Sequence, residues 1–240
     1  FLQNKIIVID SAHGTNSVCA PACFESFGAT VVSLFNEPNG KNINKECGSL
    51  HPEHLKNKVV ELEADVGIGF DGDGDRVVLV SPEGTILDGD DILHLLSQHP
   101  FYASEKTIVS TIVSNAGFEN YLKNKNCSLI RTPVGDKHVA RTLRENNLLL
   151  GGEPSGHIIA TDFSYCSDGI FTALRVLEGA IKADNLQLST FEKFPQITIN
   201  VPIKIKKNLQ EEPYAHIIKE SEKKLRSGRL IVRDSGTEPL

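Results

Sequence analysis

Three carboxylates stand at alternate positions in the stretch GIGFDGDGDRVVLV (67–80): Asp71, Asp73 and Asp75, with glycines between them and Arg76 directly after them. In an extended chain, alternate side chains point to the same side, so the three carboxylates can converge. Their mutual repulsion raises their pKa values unless a cation neutralises them. Oxygen ligands of this kind suit Mg²⁺, which leaves coordination positions open for a substrate phosphate. The spacing therefore predicts a magnesium site, with a solvated acidic hairpin turn as the alternative.

Two common glycine-containing loops share part of this pattern, and neither of them fits the stretch. An EF-hand calcium loop that begins at Asp71 needs glycine at its sixth position and glutamate at its twelfth, where this chain has Arg76 and Pro82. The run GIGFDG (67–72) matches the G-x-G-x-x-G pattern of dinucleotide-binding folds, but that pattern must open a helix, and the following RVVLV predicts a strand. The acidic stretch is therefore interpreted as a magnesium site.

A second glycine-rich stretch, GGEPSGH (151–157), carries side chains that can bind a sugar. Glu153 and Ser155 are two residues apart, so both can point to one side and hydrogen-bond neighbouring sugar hydroxyls. The glycines around them permit a close approach of the backbone. A turn with Glu153 in water explains the same residues, and the stretch by itself leaves both interpretations open.

The stretch TPVGDKHV (132–139) offers one cation and one anion at a predicted helix start. Lys137 can meet a phosphate, and Asp136 can meet a hydroxyl or an amine. Asp136 is equally suited to capping the helix, and these residues alone do not decide between the two roles. The histidines of the chain stand singly and are interpreted as structural or surface residues.

The stretch RDSGTEP (233–239) contains groups that can surround a phosphate. Arg233 offers a planar fork of donors, and Ser235, Thr237 and the backbone amides around Gly236 can complete a cradle. A loop between a strand and a helix, with a cap at Ser235 or Thr237, is the simpler interpretation of these residues alone.

Alternating strand and helix patterns must position these stretches. The hydrophobic periodicity predicts a β-α-β-α-β order up to residue 105, and a second cycle of similar order from residue 107. The predicted fold class is α/β, with tandem similar α/β units that have mixed, mostly parallel sheets, followed by the start of a smaller α+β domain. The predicted domains are residues 1–105, 106–190 and 191–240.

The third predicted unit contains three elements. The alternating stretch QITINVPIKI (196–205) and the stretch GRLIVRD (228–234) predict strands, and PYAHIIKESEKKL (213–225) predicts a helix. These elements would support the phosphate-binding stretch that begins at Arg233.

Composition argues against several classes of partner. The 240 residues carry a formal net charge of -6, which does not favour nucleic acid as a partner. No stretch approaches the ~18 uninterrupted apolar residues of a membrane span, so no membrane partner is expected. Five scattered cysteines without a Cys-x-x-Cys pair are typical of reduced thiols, so the predicted location is cytoplasmic.

The joint occurrence of DGDGDR, VGDKHV, GEPSGH and RDSGTEP, in this order, resembles the α-D-phosphohexomutase family over essentially the whole chain. NINKECGSLHPEHL (42–55), VGDKHV and FPQITINV (194–201) resemble the branch of that family that acts on glucosamine phosphates. Relatives directed to mannose and glucose typically have histidine where Asp136 stands. Pro154 departs from the glucosamine branch, which more often has glutamine there.

The resemblance implies a four-domain fold, of which this chain would be the second domain, the third and the opening of the fourth. The serine that carries the phosphoryl group in a Ser-His-Asn-Pro run belongs to the family's first domain, and this chain has no such run. The implied reaction is intramolecular phosphoryl transfer from glucosamine 6-phosphate to glucosamine 1-phosphate, through a phosphoserine and a bisphosphorylated sugar. It would supply amino-sugar precursors for a bacterial envelope.

The resemblance also implies roles for the residues named above. Asp71, Asp73 and Asp75 would bind Mg²⁺, and Arg76 would steady the phosphoryl group. The residues that would bind the hexosamine phosphate substrate are Glu153, Ser155, Asp136, Lys137, Arg233, Ser235, Gly236 and Thr237, the last four of them at the phosphate that does not react. The protein would be a monomer or a homodimer. The alternatives are a phosphomannomutase or phosphoglucomutase, and an inactive protein that binds sugar phosphates.

Overall fold

The computed structural model describes residues 1–203, 208–225 and 228–233. The chain forms two compact units, Phe1–Lys193 and Phe194–Leu240. The first unit contains two sheets, one in each of the two α/β cycles that the sequence predicts.

The first sheet has the strand order β2-β1-β3-β4-β5. β1 pairs in parallel with β2 and β3, and β3-β4 and β4-β5 are antiparallel pairs. Parallel neighbours need a crossover, and the helices α1 and α2 lie in the two crossovers here. The bounds are β1 Ile6–Asp10, α1 Asn16–Ser26, β2 Thr30–Leu34, α2 Glu53–Glu61, β3 Val66–Phe70, β4 Val77–Val80, β5 Ile86–Leu87 and α3 Gly89–Ser97, with a 3-10 turn at Gly48–Leu50.

The second sheet has the order β7-β6-β8-β9, which repeats the order β2-β1-β3-β4 of the first. β6 pairs in parallel with β7 and β8, and β8 pairs with β9 in an antiparallel hairpin. The fold class predicted from the sequence, α/β with tandem similar units and mixed sheets, is confirmed. The bounds are β6 Thr107–Thr111, α4 Ala116–Asn124, β7 Ser128–Thr132, α5 Asp136–Asn146, β8 Leu150–Gly152, β9 Ile158–Ala160 and α6 Gly169–Lys182.

One large apolar core spans both sheets through α3 and α6. α3 contacts β4 and β8, and α6 contacts β4 and β9. Ile92 and Leu93 of α3 and Leu177 of α6 are almost completely buried in this core. α2 and α5 cover the other faces, each over a smaller apolar cluster. Burial of such side chains stabilises the fold by roughly 1.5–3 kcal/mol each. The domain boundaries after residues 105 and 190 stay predictions.

The second unit contains the predicted helix, α7, at Tyr214–Lys223. The two predicted strands are wrong where the structure describes them, because residues 196–203 and 228–233 form no strand. A strand needs a hydrogen-bonded neighbour. The alternating apolar side chains have no sheet to pack against here, and Ile197 is 86% exposed. None of the helices in the described part of the chain has the length and apolar character that a membrane span requires.

Candidate active site

The acidic loop, which we define as residues 71–76, connects β3 to β4. Asp71 is buried, and its Oδ1 accepts hydrogen bonds from the backbone N–H groups of Gly74, at 3.2 Å, and Arg76, at 3.0 Å. Gly74 has φ +80°, a left-handed conformation that glycine adopts without strain. Asp71 therefore fixes the turn that brings the other two aspartates back over it.

The three aspartates converge as the spacing predicts. One carboxylate oxygen from each lies within 4.8 Å of the other two. Burial, followed by the charges of Asp75 and Asp73, raises the pKa of Asp71 to about 6. Oδ1 of Asp75 is buried and has no hydrogen-bond partner among the described residues. An orphaned carboxylate oxygen beside two further carboxylates is the donor set of a hard divalent cation, so these residues fit Mg²⁺.

Arg76 lies at the edge of the carboxylate cluster. Its Nε is 3.8 Å from Oδ2 of Asp71 and 4.0 Å from Oδ1 of Asp75, which is too far for hydrogen bonds. Nε has no hydrogen-bond partner among the described residues. Charge attraction therefore holds the guanidinium near the cluster, and Nε makes no hydrogen bond to it.

The glycine loop, which we define as residues 153–157, connects β8 to β9 and has the same place in the second sheet as the acidic loop has in the first. Arg76 and His157 pair as an isolated antiparallel bridge, and the Val77 N–H donates to the Gly156 carbonyl at 3.1 Å. Gly156 has φ +91°, and a Cβ there would overlap the Val77 carbonyl. The two loops therefore meet backbone to backbone, and only glycine permits that contact.

Glu153 connects the glycine loop to the start of α5. Its side chain is largely buried, and its Oε1 accepts a hydrogen bond from the Gly135 N–H at 2.8 Å. The interpretation of Glu153 as a residue in water is therefore wrong.

Asp136 is the first residue of α5 and makes no capping hydrogen bond, because the N-cap position belongs to Gly135. The interpretation of Asp136 as a helix cap is therefore also wrong. The Asp136 side chain is 60% exposed.

His157 is the residue of this site that sequence reasoning missed. It is largely buried, with Nδ1 3.3 Å from Oδ2 of Asp75 and Nε2 3.9 Å from Oδ2 of Asp136. It therefore links the acidic loop to the start of α5. A signal was present, because residue 157 continues the alternation of Glu153 and Ser155.

Two further segments support the acidic loop, and the sequence did not indicate either of them. The Ser167 hydroxyl donates to the Asp75 carbonyl at 2.5 Å and accepts from the Ile158 N–H at 3.0 Å. The Gly169 N–H donates to the Gly74 carbonyl at 3.0 Å. On the other side, the Thr15 N–H donates to the Gly72 carbonyl at 2.9 Å. These neighbouring segments therefore hold the loop through its backbone, which leaves the carboxylates of Asp73 and Asp75 available.

The remaining predicted residues have different positions. Ser155 at the tip of the glycine loop and Lys137 in the first turn of α5 are exposed. Arg233 is exposed and belongs to the second compact unit. Ser235, Gly236 and Thr237 lie outside the described residues. Within the first unit, the structure thus brings three of the four predicted stretches to one place.

Models of one protein family match most of the chain. Residues 3–84 match the family model described as phosphoglucomutase/phosphomannomutase, alpha/beta/alpha domain II, and residues 88–194 match domain III of the same family. The chain is 43% identical to a phosphoglucosamine mutase of Allorhizobium ampelinum and 44% identical to one of Chelativorans sp., over 100% of this chain in both cases. It covers 55% and 54% of those relatives, so the chain spans about half their length.

Solved structures show the same fold at lower identity. An N-acetylglucosamine-phosphate mutase in the apo form matches with a TM-score of 0.73 at 18% identity, over 98% of this chain and 56% of that one. An Aspergillus fumigatus N-acetylphosphoglucosamine mutase, in complex with GlcNAc-6P and magnesium, matches with a TM-score of 0.71 at 19% identity, over 98% and 61%. With two consecutive domain models and the curated relatives in agreement, the chain belongs to the phosphoglucomutase/phosphomannomutase family of α-D-phosphohexomutases.

Proposed function

We propose that the protein containing this chain interconverts glucosamine 6-phosphate and glucosamine 1-phosphate by phosphoryl transfer, through a phosphoserine and a bisphosphorylated sugar. The observation that carries the proposal is the direct contact between the two loops, which brings Asp75 of the converging carboxylates within 3.3 Å of His157 in the loop that also carries the buried Glu153. Relatives named phosphoglucosamine mutase, identical to this chain at more than two-fifths of the aligned positions, support the assignment of the sugar.

Asp71, Asp73 and Asp75 are the residues that would hold Mg²⁺. When bound, the cation neutralises negative charge on the phosphoryl group, which is the main requirement of phosphoryl transfer. Arg76 adds a second positive charge at the edge of the same cluster, and its uncommitted Nε can donate to a phosphoryl oxygen. The structure of a relative in complex with magnesium supports the choice of cation.

Glu153, Ser155 and Asp136 are the residues proposed to recognise the sugar. Glu153 is oriented by the Gly135 N–H and can accept hydrogen bonds from sugar hydroxyls through its other oxygen. The exposed Asp136 carboxylate lies on the far side of His157 from the cluster and suits the positively charged amine of glucosamine. His157 lies between Asp75 and Asp136. Its Nε2 can hydrogen-bond the sugar hydroxyl that accepts the phosphoryl group, and so orient that hydroxyl.

The phosphate that does not react needs a separate site. Lys137, exposed in the first turn of α5, is one cation for it. The family resemblance assigns the rest of this site to Arg233, Ser235, Gly236 and Thr237. A cytoplasmic protein that supplies amino-sugar precursors for the cell wall is the biological setting that this reaction implies.

The test is turnover by the complete protein with Mg²⁺, measured as kcat/KM for glucosamine 6-phosphate, glucose 6-phosphate and mannose 6-phosphate. We expect glucosamine 6-phosphate to be preferred. A preference for either of the other sugars would make the protein a phosphoglucomutase or a phosphomannomutase. Binding of glucosamine 6-phosphate without any turnover would identify an inactive binding protein and contradict the proposed reaction.

A further inference from the structure

Lys193 is the last residue of the first compact unit. Its side chain forms an ion-pair cluster with Asp88 and Asp91 at the start of α3. Its Nζ lies 2.7 Å from Oδ2 of Asp88 and 2.6 Å from Oδ2 of Asp91. Asp91 is 1% exposed, whereas the Lys193 side chain is 37% exposed, so Lys193 reaches from the surface to one buried carboxylate. Because the partners are two neighbouring carboxylates, Lys193 also relieves the repulsion between them.

The same two aspartates shape the first turn of α3. Oδ1 of Asp88 accepts from the Asp90 N–H at 3.0 Å and the Asp91 N–H at 3.2 Å, and Oδ2 of Asp91 accepts from the Asp88 N–H at 2.9 Å. This reciprocal arrangement is a capping box. Lys193 therefore neutralises the carboxylates that set the geometry of the helix start.

The start of α3 lies directly against the candidate sugar-binding loop. The Gly89 N–H donates to the Pro154 carbonyl at 3.0 Å, and a Cβ on Gly89 would overlap the Glu153 carbonyl. Any displacement of the first turn of α3 therefore moves the backbone of the glycine loop. Glu153, whose other end is held by Gly135, would move with it.

Lys193 also marks where the chain leaves the first unit. Two residues earlier, the Phe191 ring lies 5.6 Å from that of His94 and 5.4 Å from that of Phe118, between α3 and α4. The second unit, which carries Arg233, begins at Phe194. The ion-pair cluster is therefore formed by the last residue of the first unit and lies on the helix whose start contacts the loop that holds Glu153.

We propose that Lys193 is a positioning residue of the phosphohexomutase reaction: through Asp88 and Asp91 it holds the start of α3 against the glycine loop. The proposal rests on the function proposed above. Loss of Lys193 leaves two neighbouring carboxylates, one of them buried, without their cation, which is costly for the local structure. The first turn of α3 would then loosen, and the sugar would be bound less tightly.

The test compares Lys193→Ala, Lys193→Arg and the matched control Lys182→Ala in the complete protein. Lys182 pairs with Glu178 at 2.6 Å on the exposed face of α6, so its removal deletes a lysine ion pair away from the start of α3 and from the glycine loop. For Lys193→Ala we expect the KM for glucosamine 6-phosphate to rise about tenfold, which corresponds to about 1.4 kcal/mol, with a smaller change in kcat. Lys193→Arg should restore most of the loss, and Lys182→Ala should leave KM unchanged.

A second measurement does not depend on turnover. Hydrogen exchange at the amides of residues 89–92 and 153–157 should be faster in Lys193→Ala than in the wild type and in Lys182→Ala. A lower Tm with unchanged exchange in these segments and unchanged KM would reduce Lys193 to a structural role and overturn the proposal. If the wild type makes no glucosamine 1-phosphate, the proposed function fails, and the exchange rates alone then decide whether Lys193 holds the loop.

Discussion

Arg76 and His157 pair backbone to backbone as an antiparallel bridge, although they follow strands of two different sheets. Each belongs to the antiparallel hairpin of its own α/β unit, so the bridge joins equivalent loops of a structural repeat. The duplication thus supplies two loops at matching positions. One has carboxylates that suit a cation, and the other has a carboxylate and a hydroxyl that suit a sugar.

Asp73→Asn should weaken Mg²⁺ binding and reduce turnover by at least 100-fold, while the fold stays intact. Asp73 is the most exposed of the three aspartates, so its substitution removes a ligand without disturbing the hydrogen bonds that Asp71 makes. Titration calorimetry with Mg²⁺ and the Tm without metal check this. The control is Glu61→Gln, an exposed carboxylate paired with Lys58 on α2. Unchanged Mg²⁺ affinity in Asp73→Asn would contradict the ligand assignment.

His157→Asn should lower kcat by about 100-fold or more, with little change in Tm. The substitution removes the ring that lies between Asp75 and Asp136, but it keeps the backbone bridge with Arg76. Steady-state kinetics of the complete protein measure the effect. His216→Asn on α7 is the control, since His216 is exposed. A His157→Asn variant with wild-type kcat would show that the ring is only structural.

Asp136→Asn should lower kcat/KM for glucosamine 6-phosphate by about tenfold and leave the value for glucose 6-phosphate nearly unchanged. The reason is that a carboxylate attracts the amine of glucosamine, whereas an amide of the same shape does not. The side chain is exposed and makes no capping hydrogen bond, so its substitution should leave the stability of the fold unchanged. Equal losses for the two sugars would exclude Asp136 as the residue that recognises the amine.

Gly156→Ala should destabilise the protein by about 3 kcal/mol or more and abolish turnover, because a Cβ at this position overlaps the Val77 carbonyl and separates the two loops. Gly40→Ala is a closely matched control. Gly40 also has a positive φ, of +78°, but a Cβ there has no neighbour within 4 Å. Its expected cost is only the backbone strain, about 1 kcal/mol. Urea unfolding of both variants measures the difference, and equal losses would show that the contact between the loops is not the cause.

Asp90 should make stability depend on pH. Burial raises the pKa of this carboxyl to about 6, although the Asn115 N–H and the Ser114 hydroxyl donate to it at 2.7 and 2.6 Å. The folded protein then binds the proton more tightly than the unfolded chain does. Stability therefore rises as the pH falls from about 6 towards 4, and the penalty for the buried charge is complete above pH 6.

Asp90→Asn removes this charge and can keep both hydrogen bonds, because its amide oxygen can accept from the Asn115 N–H and its NH2 group can donate to the Ser114 hydroxyl. We expect the variant to be more stable than the wild type at pH 8, by on the order of 1–3 kcal/mol, and the difference to shrink by pH 5. Urea unfolding of both proteins at the two pH values isolates Asp90 from other titrating groups. A variant less stable than the wild type at pH 8 would show that the charged hydrogen bonds outweigh the cost of burial.

The acidic loop was predictable because its information is local. Asp71, Asp73 and Asp75 are close in sequence, and strand geometry alone brings their side chains to one side. His157 was not predictable in the same way. Its partners Asp75 and Asp136 are distant in sequence, and nothing in GEPSGH shows which loop it meets.

The sequence by itself determined the order of the strands and helices in the first unit, the position of three of the chemically active stretches at the end of a strand there, and the family to which they point. Hydrophobic periodicity and turn residues act over a few positions, so a single chain reveals them. Only the tertiary structure decided that the acidic loop, the glycine loop and the start of α5 meet, and that Glu153 is buried. Those contacts depend on how two sheets pack on the shared helices α3 and α6, and packing between distant segments leaves no local pattern in the sequence.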